Sequence, residues 1–242
     1  MKEAERIDKE NGDSLWWEAI CTEMKDVRIA FEEFDGEEND LPPGYQFVEC
    51  HMIFDVKLGE NFRRKARMVA GGHKTSTPSS LTYSSVVSRD SVRIALTIAA
   101  LNDLKVLACD IQNAYLTAKC REKIWTIAGP EFGSDKGKKM LIVRALYGLK
   151  SSGAAFRSLL SETLHDLGYR PSYADPDVDM RPAVKPNSFK YYEYVLVYVD
   201  DVLHISFEPM KTMKGIRNKF KIKNDKIEEP EMYLGGIAFK NV

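Results

Sequence analysis

The chain has 242 residues, of which 44% are hydrophobic and 29% are charged. This balance is typical of a folded globular protein, and it excludes disordered and collagen-like chains. The length suffices for one large domain or two small ones with a substantial hydrophobic core. No apolar stretch approaches the ~20 residues of a membrane helix, and the charged residues 1–10 do not resemble a secretory signal.

Charge is distributed unevenly, although the net charge is only −1. Residues 1–40 contain 14 acidic and 5 basic side chains, so the rest of the chain is basic. A basic body favours a polyanionic partner, although ordinary solvated faces would give the same count. The four cysteines (Cys21, Cys50, Cys109 and Cys120) form no CxxC pair. This argues against a zinc knuckle or a disulfide framework, and we expect a reducing, intracellular setting.

The first half of the chain is predicted to contain two helices and two strands. Apolar residues recur every three or four positions after Ser14, which is a suitable N-cap, and this spacing indicates an amphipathic helix. Prolines and acidic residues over 35–44 end it. In chain order, we expect a helix Trp16–Phe34, strands Tyr45–Leu58 and Arg63–Ala70, and a helix Val92–Leu101.

The second half is richer in strands, because β-branched and aromatic residues dominate its apolar runs. The irregular alternation of strands and helices, with one clear hairpin, predicts an α+β fold in which an antiparallel sheet carries helices on one face. The expected elements are a strand Lys105–Cys109, a helix Ala154–Leu167, strands Tyr191–Val199 and Val202–Ser206, a helix Lys211–Phe220 and a hairpin Met232–Phe239.

Two adjacent aspartates, Asp200 and Asp201, separate the two strongest strand signals. We expect them to form the tip of a two-residue hairpin, where Asn-Gly or Asp-Gly would be the easier choice. Neighbouring like charges at a turn favour a divalent cation, and oxygen ligands without His or Cys favour Mg²⁺. A simple polar turn would have the same sequence.

A third aspartate, Asp110, follows a short apolar strand. An acid at a strand end, near an aspartate hairpin, is the arrangement that two-metal phosphoryl transfer requires. A helix N-cap after a strand is an equally ordinary explanation for Asp110 alone.

Taken together, five blocks in this order make the sequence resemble the reverse transcriptase domain of copia-type LTR retrotransposons. A single Tyr-x-Asp-Asp is a weak signal, whereas five ordered blocks are a strong one. The blocks are Arg64–Ala70, Ala108–Tyr115, Ala145–Ser152, Tyr198–Asp201 and Tyr233–Gly236.

The resemblance implies a right-hand polymerase fold. It assigns an acidic N-terminal segment with an amphipathic helix to residues 1–40, fingers to 41–100, and a palm that ends at a primer-grip-like hairpin to 101–242. Because the chain ends at Val242, just past that hairpin, we expect the thumb to be absent or incomplete.

The resemblance also assigns catalytic roles to the three aspartates. Asp110, Asp200 and Asp201 would be the catalytic carboxylates. Asp110 and Asp200 would hold two Mg²⁺ ions directly, with the backbone carbonyl of Ile111 as a further ligand and Mn²⁺ as a substitute metal. The reaction would be attack of a primer 3′-hydroxyl on the α-phosphate of a deoxynucleotide, which depends on positioning and charge neutralisation.

Substrate contacts are implied by the same blocks. Tyr115 would lie under the sugar and exclude a 2′-hydroxyl. Lys65 and Arg67, two apart on a strand, would meet the triphosphate. The full deoxynucleotide set is Lys65, Arg67, Asn113, Ala114, Tyr115, Tyr147 and Gly148, and the primer or template set is Lys150, Ser152, Tyr198, Tyr233, Leu234 and Gly235. Solvated strand charges and core aromatics would look the same without the family context.

One departure from the family pattern is Asp179, where relatives commonly carry an aromatic or apolar residue. An aspartate there would cost folding energy if it were buried, as in a decaying copy of an element.

Three functions are compatible with these residues. The first is an RNA- and DNA-directed DNA polymerase of retrotransposon replication, with template-primer and deoxynucleoside triphosphates as partners. The second is a catalytically inactive, degraded or co-opted nucleic-acid-binding remnant, and the third is another palm-type nucleotidyltransferase. Integrase and RNase H of the same polyprotein would be further partners, no membrane is expected, and the family implies cytoplasmic particles and the nucleus.

Overall fold

A computed structural model describes residues 1–76, 78, 82–230, 232–233 and 236–237. The chain forms two compact units. The first unit contains Met1–Tyr83 and Tyr115–Phe156, and the second contains Ser84–Ala114 and Arg157–Val242. The units therefore interleave along the chain and have boundaries other than residues 40 and 100, while the assignment of fingers and palm stays a prediction. Residues 115–156 belong with the N-terminal region because their strands pair in its sheet.

Most of the predicted elements are present, but the strand predicted for Tyr45–Leu58 is divided in two, and the elements at residues 2–11, 124–127, 139–142 and 178–184 were not predicted. In chain order they are α1 (Lys2–Asn11), α2 (Leu15–Val27), β1 (Phe31–Glu33), β2 (Gln46–Phe47), β3 (Cys50–Lys57), β4 (Arg63–Ala70), α3 (Arg89–Leu101), β5 (Lys105–Asp110), α4 (Ala114–Thr117), β6 (Ile124–Ile127), β7 (Lys139–Ile142), α5 (Ser152–Asp166), β8 (Arg170–Pro171), β9 (Val178–Val184), β10 (Lys190–Tyr198), β11 (Asp201–Ser206), α6 (Pro209–Lys219), β12 (Met232–Tyr233) and β13 (Gly236–Ile237).

The first unit combines a four-stranded sheet with a separate hairpin. The sheet has the strand order β1-β7-β6-β2, and β3 pairs with β4 in the hairpin. Trp16 and Ile20 of α2 pack against Ala66 of β4, which buries one side of the hairpin. Met68 and Met140 join the hairpin and the sheet in one fully buried core.

The helix predicted for Trp16–Phe34 is shorter than expected. It ends at Val27, a 3₁₀ turn follows, and Phe31 begins strand β1. Phe31 pairs with Ile142 of β7. Both Val27 and Phe31 are buried in the core, as their apolar spacing predicted. The helix ends early because Phe31 pairs with a strand instead of continuing the helix.

The second unit contains a five-stranded antiparallel sheet with the order β5-β11-β10-β9-β8. Leu203 and Ile205 of β11 contact α3 through Ala95. The opposite side of the sheet carries Cys109, whose Sγ lies 3.8 Å from Sδ of Met213 in α6. The α+β class is thus confirmed, but helices cover both faces of this sheet and not one. Within the described part of the chain, no helix has the length and apolarity that a bilayer crossing needs.

Candidate active site

The β10–β11 hairpin presents the aspartate pair. Tyr198 pairs with Asp201 in the ladder, so the two-residue tip is Val199-Asp200 and not Asp200-Asp201 as expected. Val199 has a φ of 56°, which is unusual for a β-branched residue and costs about 1–3 kcal/mol. The shift places Asp201 at the start of β11, where its side chain direction is fixed by the strand.

Asp110 lies directly opposite Asp201, because β5 and β11 pair with these two residues in register. The N–H group of Ile111 donates to the carbonyl of Asp200 at 2.9 Å. This bond joins the residues next to Asp110 and Asp201, so Asp110 and Asp201 themselves form a non-hydrogen-bonded pair of the antiparallel ladder. Facing side chains lie closest together in such pairs. The structure therefore brings two of the three predicted carboxylates together across neighbouring strands.

The electrostatics of the site show the cost of this pairing. Burial, together with the charges of Asp200 and Asp110, raises the pKa of Asp201 to about 6, while the charge of Lys223 lowers it. Directly opposed like charges destabilise an antiparallel pair. Asp201 is thus held in a position that favours a cation beside it.

Lys223 provides a positive charge at this point. Its Nζ lies 2.5 Å from Oδ2 of Asp110. The segment that carries Lys223 is fixed along β5, since Ile222 bridges to Ile111 and the N–H of Ala108 donates to Glu228 at 2.7 Å. Lys223 lies beyond α6, which ends at Lys219.

The donor set fits a hard divalent cation. Among the residues described, no three His, Cys, Asp or Glu side chains converge into a closed metal cluster. Asp110 and Asp201 nevertheless supply carboxylate oxygens from facing strands, and a cationic group already lies beside Asp110. Oxygen ligands of this kind suit Mg²⁺ or Mn²⁺. Asp201 is the residue that faces Asp110 across the strands, and direct metal binding by Asp110 and Asp200 stays a prediction.

Tyr233 lies next to the same carboxylates. Its hydroxyl donates to the backbone carbonyl of Asp201 at 3.4 Å, and its ring packs against the core beside α3. Asp110, Lys223 and Tyr233 line one surface cavity of the second unit. Tyr198 is partly exposed beside the hairpin tip. The other predicted primer-grip residues, Leu234 and Gly235, lie outside the described residues.

Three further predicted residues follow Asp110. Ile111 is fully buried, and a role for its carbonyl in metal binding stays a prediction. Asn113 has a left-handed backbone with a φ of 52°. Ala114 is buried, so a nucleotide contact at this position would involve the backbone.

In the first unit, Lys65 and Arg67 share one face of β4. Ala66 and Met68 alternate with them and are buried, as expected for a strand with one covered face. Glu23 of α2 accepts a hydrogen bond from the N–H of Met68 at 2.9 Å. Burial raises the pKa of Glu23, while the charges of Lys65 and Arg67 lower it. Sequence reasoning missed this acidic neighbour of the two bases.

Tyr147 contacts two other predicted site residues. The guanidinium of Arg67 lies 5.1 Å from the centre of the Tyr147 ring. The ring of Tyr115 lies 4.9 Å away, inclined by 51°. Tyr115 also lies 6.3 Å from the ring of Phe156. Two predicted nucleotide-binding residues, Arg67 and Tyr115, therefore both contact a third, Tyr147.

Gly148 fixes the backbone behind Tyr147. It has a φ of 90°, and a Cβ there would lie 2.0 Å from the carbonyl oxygen of Ala70. Gly72 has the reciprocal role, since its Cβ would lie 2.4 Å from the carbonyl oxygen of Gly148. Two backbone segments thus meet at a distance that only glycine permits. Gly72 was not singled out from sequence.

Lys150 and Ser152, which are predicted to contact primer or template, both donate hydrogen bonds within the first unit. Lys150 donates to the carbonyl of Thr75 at 2.5 Å. Ser152 is 2% exposed, and its hydroxyl donates to the carbonyl of Leu146 at 2.6 Å. The side chain of Ser152 is buried and hydrogen-bonded at the start of α5, and its contact with primer or template stays a prediction.

Asp179 is buried in the second unit. It is 1% exposed, and it shares the guanidinium of Arg157 with Asp177, at 3.4 Å against 2.7 Å. Burial raises the pKa of Asp179, and Arg157 compensates only in part. Two carboxylates are thus buried beside a single cation, which is the situation in which an aspartate at position 179 is expected to cost folding energy.

Comparison with known proteins identifies the group of relatives. A family model described as "Reverse transcriptase (RNA-dependent DNA polymerase)" matches residues 38–240. The chain is 29% identical over 213 residues to the "Retrovirus-related Pol polyprotein from transposon RE1" of Arabidopsis thaliana, covering 83% of this chain and 14% of that protein. It is 28% identical over 241 residues to the RE2 polyprotein of the same plant, covering 95% and 16%.

A third curated relative, the Pol polyprotein from transposon TNT 1-94 of Nicotiana tabacum, is 29% identical over 190 residues, or 75% of this chain and 14% of that protein. The chain therefore spans about a seventh of the length of these relatives. A solved foamy viral protease–reverse transcriptase in complex with double-stranded DNA aligns with a TM-score of 0.47 at 12% identity, covering 87% of this chain and 31% of that chain.

Proposed function

The chain belongs to the reverse transcriptase family, and from this premise we propose that it is an RNA- and DNA-directed DNA polymerase. The resemblance to copia-type elements is confirmed by the family match and by the transposon polyproteins among its relatives. The observation that supports catalysis is the register of Asp110 with Asp201 across β5 and β11. A carboxylate pair held on two strands gives the positional precision that phosphoryl transfer needs.

In the proposed reaction, a primer 3′-hydroxyl attacks the α-phosphate of a deoxynucleotide and pyrophosphate leaves. Two Mg²⁺ ions, when bound, would neutralise phosphate charge and stabilise the attacking and leaving oxygens. Asp110 and Asp201 would hold these ions from facing strands. Asp200, at the hairpin tip, would complete the acidic set.

Residues of the first unit would bind the nucleotide. Lys65 and Arg67 are on the solvent face of β4, where their charges can meet triphosphate oxygens. Tyr115 would exclude a 2′-hydroxyl by its bulk. These roles are carried over from the family and rest on the positions of these residues in the matching blocks.

Primer extension tests the proposal directly. The purified chain should incorporate dTTP on a poly(rA)–oligo(dT) template-primer when Mg²⁺ or Mn²⁺ is present. Asp110→Asn and Asp201→Asn should abolish incorporation, because each removes one oxygen ligand of the pair. Asp90→Asn is a matched control on exposed surface at the start of α3. Full activity of Asp110→Asn would contradict the proposed site.

The alternative function has its own readout in the same assay. A chain that binds template-primer but shows no incorporation under any metal condition would be a nucleic-acid-binding remnant. As further parts of the proposal, integrase and RNase H of a polyprotein would be its partners, and cytoplasmic particles and the nucleus its locations.

A further inference from the structure

The Tyr147 ring joins two side chains that the proposed function assigns to different parts of the nucleotide. The guanidinium of Arg67 lies 5.1 Å from the centre of the Tyr147 ring, and the centre of the Tyr115 ring lies 4.9 Å from it. Arg67 would bind phosphate and Tyr115 would face the sugar. Tyr147 thus connects the triphosphate and sugar contacts through one aromatic side chain.

The backbone of Tyr147 is held firmly enough to act as a support. Its carbonyl accepts a hydrogen bond from the N–H of Ala70 at 2.8 Å, and it bridges to Val69 in parallel. Gly148 then packs against the Ala70 carbonyl with no room for a side chain. The backbone that carries the Tyr147 ring is therefore hydrogen-bonded to β4, the strand that carries Arg67.

Arg67 has the longest side chain of this group. It is exposed on β4, and an unrestrained arginine loses much rotamer freedom when it binds a phosphate. Contact with an aromatic face restricts the guanidinium before the ligand arrives. Tyr115 is restricted in the same way by an inclined ring contact, a favourable geometry for two aromatics.

We propose that Tyr147 is a positioning residue that couples triphosphate binding to discrimination between deoxyribose and ribose. This inference rests on the proposed function. It requires that a change at Arg67 alters sugar preference and that a change at Tyr147 alters both properties, since coupling between two contacts is reciprocal.

Equilibrium binding separates this inference from catalysis. The probes are dTTP and UTP, bound to the chain on poly(rA)–oligo(dT) with a dideoxy-terminated primer that prevents chemistry. Tyr147→Phe retains the ring and should restore most of the dTTP affinity and sugar preference that Tyr147→Leu loses. Tyr147→Leu should weaken dTTP binding about 2- to 10-fold and lower the dTTP-to-UTP preference. Tyr173→Leu, at a fully exposed tyrosine of the second unit, is the matched control.

A double-mutant cycle with Arg67→Met completes the experiment. Arg67→Met and Tyr147→Leu should be non-additive for dTTP binding, because each removes the same contact. Additive effects with an unchanged sugar preference would overturn the inference. If Tyr147→Leu fails to fold, Arg67→Met alone decides, since an unaltered dTTP-to-UTP ratio in that variant would overturn it.

The same assay distinguishes failure of the proposed function. If the wild-type chain binds dTTP and the mutant effects are non-additive, but the wild-type chain does not extend an unblocked primer, polymerase activity is contradicted and the coupling stands. Absence of dTTP binding to the wild-type chain would overturn both.

Discussion

Lys223 pairs with Asp110, the carboxylate that faces Asp201 across the strands, at an Nζ–Oδ2 distance of 2.5 Å. One ammonium group thus partly neutralises an acidic pair whose charges repel. A divalent cation that binds at Asp110 must share this carboxylate with Lys223 or displace it. The positive charge of Lys223 should consequently lower the affinity of the site for a divalent cation.

Replacing Lys223 should therefore strengthen metal binding. Lys223→Met is expected to lower the dissociation constant for Mn²⁺ about 3- to 10-fold at pH 8, where Asp201 is ionised. Isothermal titration calorimetry with metal alone measures this without nucleotide. Lys226→Met is the control, because Lys226 pairs with Glu228 on the same segment. Equal or weaker Mn²⁺ binding by Lys223→Met would show that the lysine does not compete.

The raised pKa of Asp201 predicts a pH-dependent stability. In the folded state the pKa is about 6, above the ordinary value of 3.8. The folded chain therefore retains the proton between these values, and stability falls as pH rises through that window. Asp201→Asn should raise the free energy of unfolding by roughly 1–3 kcal/mol at pH 7.5 and by much less at pH 4.

Urea denaturation in EDTA at the two pH values measures this difference. Asp90→Asn, a change at an exposed residue, should show no comparable gain at either pH. A gain for Asp201→Asn that is equal at both pH values would contradict a titration origin.

The buried Asp179 should also reduce stability. Asp179→Leu removes a buried charge and leaves Arg157 paired with Asp177 alone, so we expect stabilisation of about 1–2 kcal/mol at pH 7. The gain should shrink at low pH, because the pKa of Asp179 is raised and the folded state then holds it protonated. Asp177→Asn should destabilise, since it weakens the closer partner of Arg157. Thermal unfolding of both variants decides, and destabilisation by Asp179→Leu would refute this account.

Gly148 should tolerate no side chain. Gly148→Ala places a Cβ against the Ala70 carbonyl in a left-handed backbone, so we expect a loss of about 3 kcal/mol or more. Gly59→Ala, where a Cβ would meet open space, should change stability by less than about 0.5 kcal/mol. Urea midpoints of the two variants give the comparison, and similar midpoints would show that the loop at Gly148 can relax.

The sequence was most informative where periodicity and motif agreed. The strands around the aspartate hairpin were predicted almost to the residue, because their β-branched runs are unambiguous. The convergence of Asp110 on the hairpin followed from the family resemblance and not from local pattern. The sequence did not show which aspartate faces Asp110 across the strands, because the turn is shifted by one residue and Asp201 is the facing residue.

Other features depend on contacts between distant parts of the chain. Lys223 reaches Asp110 because a segment after α6 pairs along β5, and no local signal announces such an edge pairing. The burial of the Ser152 hydroxyl against the carbonyl of Leu146 was likewise not visible in its motif. Gly72 was missed because its close approach to Gly148 exists only in the folded backbone.

The interleaving of the two units affects how the protein is made. During synthesis, Phe31 of β1 leaves the ribosome more than a hundred residues before its partner Ile142. By then residues 84–114 have also emerged, although the strands that complete their own sheet have not. Such distant pairing slows folding, because a long loop must close before its contacts form. Nascent chains halted before β7 would therefore expose unpaired strand edges in both units.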